Sequence, residues 1–513
     1  MNRLPQEIYD EIATWGVERA NRPNLATVSR PWQMAVERIT FRQIYLTSSD
    51  LVEFKKIVSG HRLRFLGTIL YSIVLPPHNK ESHGPFQGTR HHQANYEAFT
   101  AAIYDLFSIL RSWDDVEYSM MSTYSIRLEI LDIYSPMRDG ISSYVFRQEL
   151  DVVSPHMVER ESYLHLLRSD EWPVVPAINS LGVHLRSMRA LSSQVYTEAV
   201  RKLPNLRIID WFTYEENMSY PEQRQRNRDL FTKTLRRHLP EISNLHSLGI
   251  FMDHGKFCNR PWLPISLRPE KDSPDPLSRS IREGTASMEN LINLNISGIF
   301  DESLLWPDLS VGSVEPFWQN LKHLNIKFHT TKPSGGGYFR ARPQRESLNP
   351  LPLSPSNSQT PQGYSIGEAG EAESSHDGQY SDNREHQESP QPELLYIPDD
   401  ETISPLIEAF GRAISQMRAL ELASLTTNIA MHVSLDSHRG KIIDSTWGIW
   451  FAVPGASFDL KLQERPAFYQ NMEQRRLILD VRNWRPNEHL KSILRDVGQE
   501  RHGQMLMEEY LDY

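Results

Sequence analysis

A single phrase, an asparagine followed by a leucine and then by alternating apolar residues, returns four times in the middle of this chain. It reads Pro204-Asn205-Leu206-Arg207-Ile208-Ile209, Ser243-Asn244-Leu245-His246-Ser247-Leu248-Gly249-Ile250, Glu289-Asn290-Leu291-Ile292-Asn293-Leu294-Asn295-Ile296 and Gln319-Asn320-Leu321-Lys322-His323-Leu324-Asn325-Ile326. The pairs Leu294/Ile296 and Leu324/Ile326 sit two apart, the period of a strand with one buried face, and Leu291 and Leu321 mark the turn leading into it. Further strands are expected at Gln43 to Leu46, Ile69 to Leu75, Ile126 to Leu131, Leu181 to Leu185, Ala419 to Leu422 and Leu477 to Val481.

Between these strands lie stretches with helical apolar spacing: Tyr96 to Trp113, Gln194 to Lys202, Asn227 to Leu239, Ile403 to Gln416 and Glu488 to Val497. Strand alternating with helix predicts an α/β fold. Its parallel sheet is covered on one face, because a unit of this kind buries its apolar side only against a neighbour. The phrases recur at unequal intervals, so a regular superhelix is not required. Near the end, Trp447 to Val453 and Arg475 to Trp484 read as adjacent aromatic-rich strands, followed by a helix entered through Arg485-Pro486-Asn487. Their tryptophans are expected to fill a terminal core.

The first 45 residues carry a different pattern. Leu4-Pro5-Gln6-Glu7-Ile8 opens a helix with proline and acid at its start, where a missing N–H is harmless and negative charge suits the dipole. Ile8, Ile12 and Trp15 then share a face. Asn24 is a candidate N-cap for a short second helix bearing Leu25 and Val28, and Pro31 suits the first turn of a third with Trp32, Ala35, Val36 and Ile39. So small a unit buries too little to stand alone and needs an apolar partner surface.

Leu4-Pro5-x-Glu7-Ile8, then Ile12, then Leu25-Ala26-Thr27-Val28-Ser29-Arg30-Pro31-Trp32 resembles the F-box pattern, with its leucine-proline start and late Val-Ser-Arg-x-Trp-like signature. The run Thr40-Phe41-Arg42-Gln43-Ile44-Tyr45-Leu46 and the degenerate leucine-rich-repeat-like units after it resemble fungal F-box proteins. The resemblance implies that the helices bind a Skp-family adaptor on a cullin scaffold, while the body recruits a protein for ubiquitylation. Leu4, Pro5, Ile8 and Ile12 fall on the adaptor-docking helix, and Leu25, Val28, Trp32 and Val36 on the later contact and packing positions. Trp15 departs from the pattern, which usually has an aliphatic residue there, and the link from Trp15 to Leu25 is polar.

The expected organisation is therefore an F-box-like helical module over residues 1–45, a leucine-rich-repeat-like solenoid over 46–330, a disordered insertion over 331–394, and a continuation that closes the array over 395–513. The insertion is dense in Pro, Ser, Gly and Gln with almost no branched aliphatics. Ser354-Pro355, Thr360-Pro361 and Ser389-Pro390 within it have the form of proline-directed phosphorylation sites. Pro76 to Gln93 and Arg268 to Ala286 read as shorter polar loops. The alternative is a scaffold outside any cullin complex, whose N-terminal helices only cap the array.

Composition narrows the function classes. Lys and Arg number 55 against 65 Asp and Glu, a net of −10 with no basic block, which argues against a nucleic-acid partner. The single cysteine, Cys258, forms no intrachain disulfide and supplies no thiolate cluster, which fits a cytoplasmic or nuclear protein. No stretch has the apolar length of a membrane span, and Met1-Asn2-Arg3-Leu4-Pro5 lacks a secretory apolar core.

Chemistry-bearing clusters are weak. His78, His83, His91 and His92 lie in a polar loop without thiolates, and Gly335-Gly336-Gly337 lacks the Lys-Ser/Thr of a phosphate cradle. Asp114-Asp115 and Asp399-Asp400 read as helix-end or loop charges rather than two acids facing across a cleft, and Cys258 with His254 as an inert thiol. The expectation is a binding protein with no enzymatic activity and no cofactor.

Overall fold

The computed structural model describes residues 4–15, 18, 21–77, 89–117, 125–135, 163–184, 191–214, 221–242, 244–253, 266–268, 273–307, 318–341, 396–435, 439–458, 470–482 and 484–511. These residues form a mixed α/β fold around one twelve-stranded sheet whose order in space follows the order in the chain. The first eight strands are β1 Gln43–Thr47, β2 Thr68–Val74, β3 Ile126–Tyr134, β4 Ile178–Val183, β5 Ile208–Tyr214, β6 Ser247–Asp253, β7 Asn293–Gly298 and β8 His323–Phe328. A separate pair follows, β9 Phe339–Ala341 antiparallel to β10 Tyr396–Pro398. The sheet resumes with β11 Leu422–Leu435, β12 Arg439–Ala452, β13 Arg475–Asp480 and β14 Leu506–Tyr510.

Strands β1 to β8 and β11 run parallel, neighbour to neighbour. Parallel neighbours need a long crossover, and helices occupy many of those here. Three precede the sheet: α1 Gln6–Trp15, α2 Arg22–Ala26 and α3 Arg30–Arg42. The rest are α4 Leu51–Ile57, α5 Thr89–Glu117, α6 Ser193–Arg201, α7 Pro221–His238, α8 Pro276–Ala286, α9 Asp400–Gln416, α10 Glu488–Asp496 and α11 Gln499–His502. At the far end β12 turns antiparallel to both β11 and β13, and β14 lies parallel to β13.

The register explains the repeated phrase. Leu248, Leu294 and Leu324 are Cα partners across three strands, as are Ile250, Ile296 and Ile326, so one face carries continuous apolar rows. Ahead of each strand the phrase leucine, Leu206, Leu245, Leu291 or Leu321, is sealed in the core. The asparagine does separate work: Asn205 Nδ2 donates to the Pro176 carbonyl at 2.9 Å and Asn320 Nδ2 to the Glu289 carbonyl at 2.7 Å, each in the preceding unit. Two successive N–H groups then share one carbonyl of the previous strand's start. Examples are His246 and Ser247 on Arg207, Ile292 and Asn293 on His246, and Lys322 and His323 on Ile292. The phrase is thus a joint between units as well as a strand marker.

Helices cover the apolar rows. Tyr196 of α6, Trp211 of β5 and Phe231 of α7 form a triangle of rings 5.7 to 6.4 Å apart, and Leu277 and Ile281 of α8 continue the layer. One contiguous core runs from Leu46 to Val497, so the described residues before 331 and after 395 share a sheet and an interior. A smaller cluster of Trp450, Ala452, Phe458 and Ile478 covers part of the opposite face at the C-terminal end.

Several elements differ from the sequence expectation. Arg268 to Ala286, read as a polar loop, contains α8: Asp275 caps it by accepting from the Ser278 N–H at 3.0 Å, Pro276 sits in its first turn, and Leu277 and Ile281 point inward four residues apart. Residues 331–341, expected within the insertion, form a turn and the strand β9 instead. Gly335 to Gly337 belongs to a turn in which the Lys332 N–H donates to the Gly336 carbonyl at 2.7 Å, and Tyr338 is fully buried. The rest of that insertion, including Ser354, Thr360 and Ser389, lies outside the described residues, as do His78, His83, His254 and Cys258. His91 and His92 belong to α5 rather than to a loop. Helix α2 starts at Arg22 with Asn21 at its N-cap, three residues before the expected cap Asn24, because Pro23 fits its first turn. The strand expected from Ala419 begins only at Leu422, once the turn through Leu420 has closed.

Candidate functional site

Helices α1 and α3 are held together by small, shielded contacts. Ala13 and Ala35 are fully buried, Tyr9 meets Trp32 edge to face at 4.9 Å, and Gln6 Nε2 donates to the Pro31 carbonyl at 3.0 Å. Asp10 pairs with Arg38. These interactions use one side of α1. On another side, Leu4, Ile8, Ile12 and Trp15 fall at helical spacing and remain open, Trp15 at 84% exposure and Ile8 and Ile12 at 40% each.

The eight residues singled out in the sequence therefore divide. Leu4, Pro5, Ile8, Ile12 and Val28 are exposed, and Leu25 and Trp32 are half-buried. Val36, at 6% exposure, lies beside Ala35 inside the fold and is closed to an outside partner, which corrects its assignment as a contact residue. Trp15, noted only as a departure from the pattern, is the most exposed large apolar side chain of the set.

A joint fixes this module to the sheet. Glu37 of α3 is nearly buried and accepts from His61 Nε2 at 2.7 Å, from Arg62 Nη2 at 2.9 Å and from Gln33 Nε2 at 3.1 Å. Burial alone would raise its pKa, but the hydrogen bonds from Arg62, His61 and Gln33 outweigh it and hold the carboxyl below the ordinary glutamate value. The Arg62 guanidinium also lies 5.0 Å over the Phe41 ring.

The second surface is the sheet face away from the helices. On β4, β5 and β6 its residues form rows: Ser180, Ile208 and Ser247; then Gly182, Asp210 and Gly249; then Phe212 and Phe251, with His184, just past β4, against Phe212. Phe212 and Phe251 stack at 4.3 Å and 16°, and His184 lies 4.4 Å from Phe212. Asp210 stands at the centre with a bare glycine on either side. Its neighbours fill those gaps: a Cβ on Gly182 would meet His184 Nε2 at 2.8 Å and Glu129 Cγ at 3.3 Å, and one on Gly249 would run into Asp210 Oδ1 and Phe251. Glu129 is paired with Arg127 at 2.5 Å, whereas Asp210 makes no hydrogen bond among the described residues. Burial lifts the Asp210 carboxyl above the ordinary aspartate value, with His184 and Arg127 pulling it back. Beyond Gly249 an amide ladder continues: His323 meets Asn293 at 2.6 Å, Asn325 Nδ2 donates to Asn295 Oδ1 at 2.8 Å, and Ser424 donates to Asn325 at 3.0 Å. Sequence reasoning missed this group because its members lie in three separate units, and only the register brings them together.

A buried ionic cluster lies inside the fold. Arg228 Nη2 donates to Asp275 Oδ2 and to the Ile299 carbonyl, each at 2.7 Å, and Arg268 Nη2 donates to Asp301 Oδ2 at 2.7 Å. The Asp275 N–H donates to Asp301, and Ser278 and Ser303 hydroxyls complete the shells. Burial, then the nearby Asp275 charge, raises the Asp301 carboxyl. With its oxygens committed to protein donors, this cluster ties α7, α8 and the loop after β7 together. Among the described residues, no group of three or more His, Cys, Asp or Glu side chains is placed to hold a metal ion, and no helix is long and apolar enough to cross a membrane.

No protein-family model matches the chain, and no curated protein matches it either.

Proposed function

We propose that this protein is the substrate-recognition subunit of an SCF-type cullin ubiquitin ligase, in which α1 to α3 form an F-box-like module that docks on a Skp-family adaptor. The observation that carries the reading is the exposed stripe of Leu4, Ile8, Ile12 and Trp15 on a helix whose other side is already packed against α3. Contiguous apolar side chains open to water on a small module are the usual mark of a protein interface. The leucine-proline start and the Val28-Ser29-Arg30-Pro31-Trp32 run give that interface its family resemblance.

On this reading the body is an irregular leucine-rich-repeat-like solenoid whose open sheet face holds the protein to be ubiquitylated, in the cytoplasm or nucleus. The chain contributes no chemical group to transfer. It raises the effective concentration of a target lysine beside a charged conjugating enzyme, so rigid spacing between module and body matters. The Glu37 joint supplies that rigidity.

The same joint favours a second reading, in which the helices only cap the array in a scaffold outside any cullin complex. Co-purification with a Skp-family adaptor separates the two. Ile8→Asp with Trp15→Asp changes only exposed positions, so capture is expected to vanish while the melting temperature stays put. Undiminished capture by that folded double variant, or no capture by the wild-type chain, overturns the ligase reading.

A further inference from the structure

We infer that the open sheet face around Asp210 is a docking site for an arginine side chain presented by an extended segment of a partner protein. The inference rests on the reading of the body as a target holder only for the ligand being a protein. It does not depend on the adaptor stripe.

Charge selects a cation. Of the two carboxylates here, Glu129 is paired with Arg127 at 2.5 Å, while Asp210 makes no hydrogen bond among the described residues and feels Arg127 and His184 only through space. Asp210 is also partly shielded from water by its own sheet neighbours, which strengthens its interaction with an incoming positive charge relative to a fully solvated carboxylate.

Shape selects a guanidinium over an ammonium. One row on from Asp210, the Phe212 and Phe251 rings stack nearly parallel and extend the wall begun by His184, leaving half-buried aromatic surface beside the carboxylate. A planar guanidinium can lie against a ring face while presenting two parallel N–H groups to a carboxylate, whereas a lysine ammonium is a hydrated point charge without that fork. On the other side of Asp210, Ile208 is open to solvent and offers apolar surface to the methylenes of an arginine stem.

The glycines let the neighbouring side chains close in around Asp210. No side chain rises from Gly182 or Gly249, the Cα partners of Asp210 on either side, and the leaning of Asp210 and Phe251 over Gly249 brings carboxylate and ring to one spot. The amides of Asn293, Asn295 and Asn325 continue the surface and are held in place by one another and by His323 and Ser424. They form a polar floor for the backbone that carries the arginine.

The test uses the labelled full-length chain and six-residue peptides of glycine and serine with one central residue, titrated into the millimolar range by thermophoresis. The central residue is arginine, lysine, or citrulline, which is the uncharged analogue of arginine. Arginine is expected to bind about tenfold tighter than citrulline and several-fold tighter than lysine. Asp210→Asn should bring arginine down to the citrulline level, and Phe251→Leu, which removes the ring leaning beside Asp210, should remove the preference over lysine. Ser247→Arg, on the same face one row away, should saturate the site in cis and abolish binding without touching the core. Equal binding of arginine and citrulline overturns the inference, as does an arginine preference that survives both Asp210→Asn and Ser247→Arg. Equal binding of arginine and lysine overturns the guanidinium assignment. Adaptor capture is measured apart from peptide binding, so either result can fail alone.

Discussion

Asp210 and Gly249 are Cα partners on adjacent parallel strands, and the Asp210 carboxylate occupies the space that any side chain on Gly249 would need. Phe251 crowds the same point, 2.6 Å from where a Cβ would stand. Gly249→Ala must therefore displace a carboxylate and a ring that is itself stacked on Phe212. Overpacking of this kind costs about 1–3 kcal/mol, so urea unfolding should show that loss, and removal of the carboxylate clash in Asp210→Ala/Gly249→Ala should return part of it.

The cluster around Asp275 gives a larger effect. Asp275 is fully buried, pairs with the nearly buried Arg228, and caps α8 through the Ser278 N–H. Asp275→Ala leaves a guanidinium inside the fold without its carboxylate. Breaking a buried pair in this way costs about 3–5 kcal/mol, and equilibrium denaturation is expected to register it. A change under about 1 kcal/mol would show that water reaches Arg228 freely.

Glu37 makes the joint between module and sheet sensitive to acid. Its carboxyl titrates below the ordinary glutamate value of 4.5, so the unfolded chain takes up this proton at a higher pH than the folded one. The stabilisation it provides is complete above that value and is lost as pH falls through the folded pKa. Glu37→Gln should thus lower the melting temperature at neutral pH and flatten its fall on the acid side of the ordinary glutamate value relative to wild type. An unchanged acid limb in the variant would remove Glu37 from the joint.

Ala341 and Tyr396, the described residues on either side of 342–395, are antiparallel partners. A short turn can span that gap, since paired strands lie about 5 Å apart. Replacing residues 344–393 with a few glycines and serines is expected to leave the fold intact and to stabilise it by about 2 kcal/mol at most through the shorter loop. Thermal unfolding of the shortened chain checks this, and a large drop would mean that the segment contributes to the body.

How much of this was legible follows from the range of the interactions. Strands such as Leu294/Ile296 and helices such as α6, α9 and α10 carry their period in consecutive residues, so local spacing revealed them. The exposed stripe on α1 was visible for the same reason. Helix α8 was not, because Ser278, Arg279, Ser280, Arg282 and Gly284 outweigh Leu277 and Ile281 in a composition reading, although all but Arg279 and Glu283 of its middle turns are buried. Arg475 and Arg476 were equally hidden. They are adjacent in the sequence and look like surface charge, yet both are buried: Arg475 donates to the carbonyls of Arg495 and Val497 at the end of α10, and Arg476 to that of Ala456. Asp210 required the register of three strands, and no local pattern encodes that.

The two halves of the Asn-Leu phrase make a closing contrast. Leu321 is sealed in the core, whereas Asn320 is exposed and donates a single hydrogen bond to the Glu289 carbonyl of the preceding unit. Leu321→Ala removes buried methyl groups and leaves a cavity, at about 3–5 kcal/mol. Asn320→Ala removes one partly solvated hydrogen bond, at about 1 kcal/mol. Hydrogen exchange distinguishes their roles beyond magnitude. The leucine variant should weaken protection across the shared core on both sides, while the asparagine variant should raise exchange mainly where the turn before β7 meets the turn before β8. If the asparagine variant instead loosens strands throughout the sheet, the joint is a core determinant rather than a local tie between neighbouring units.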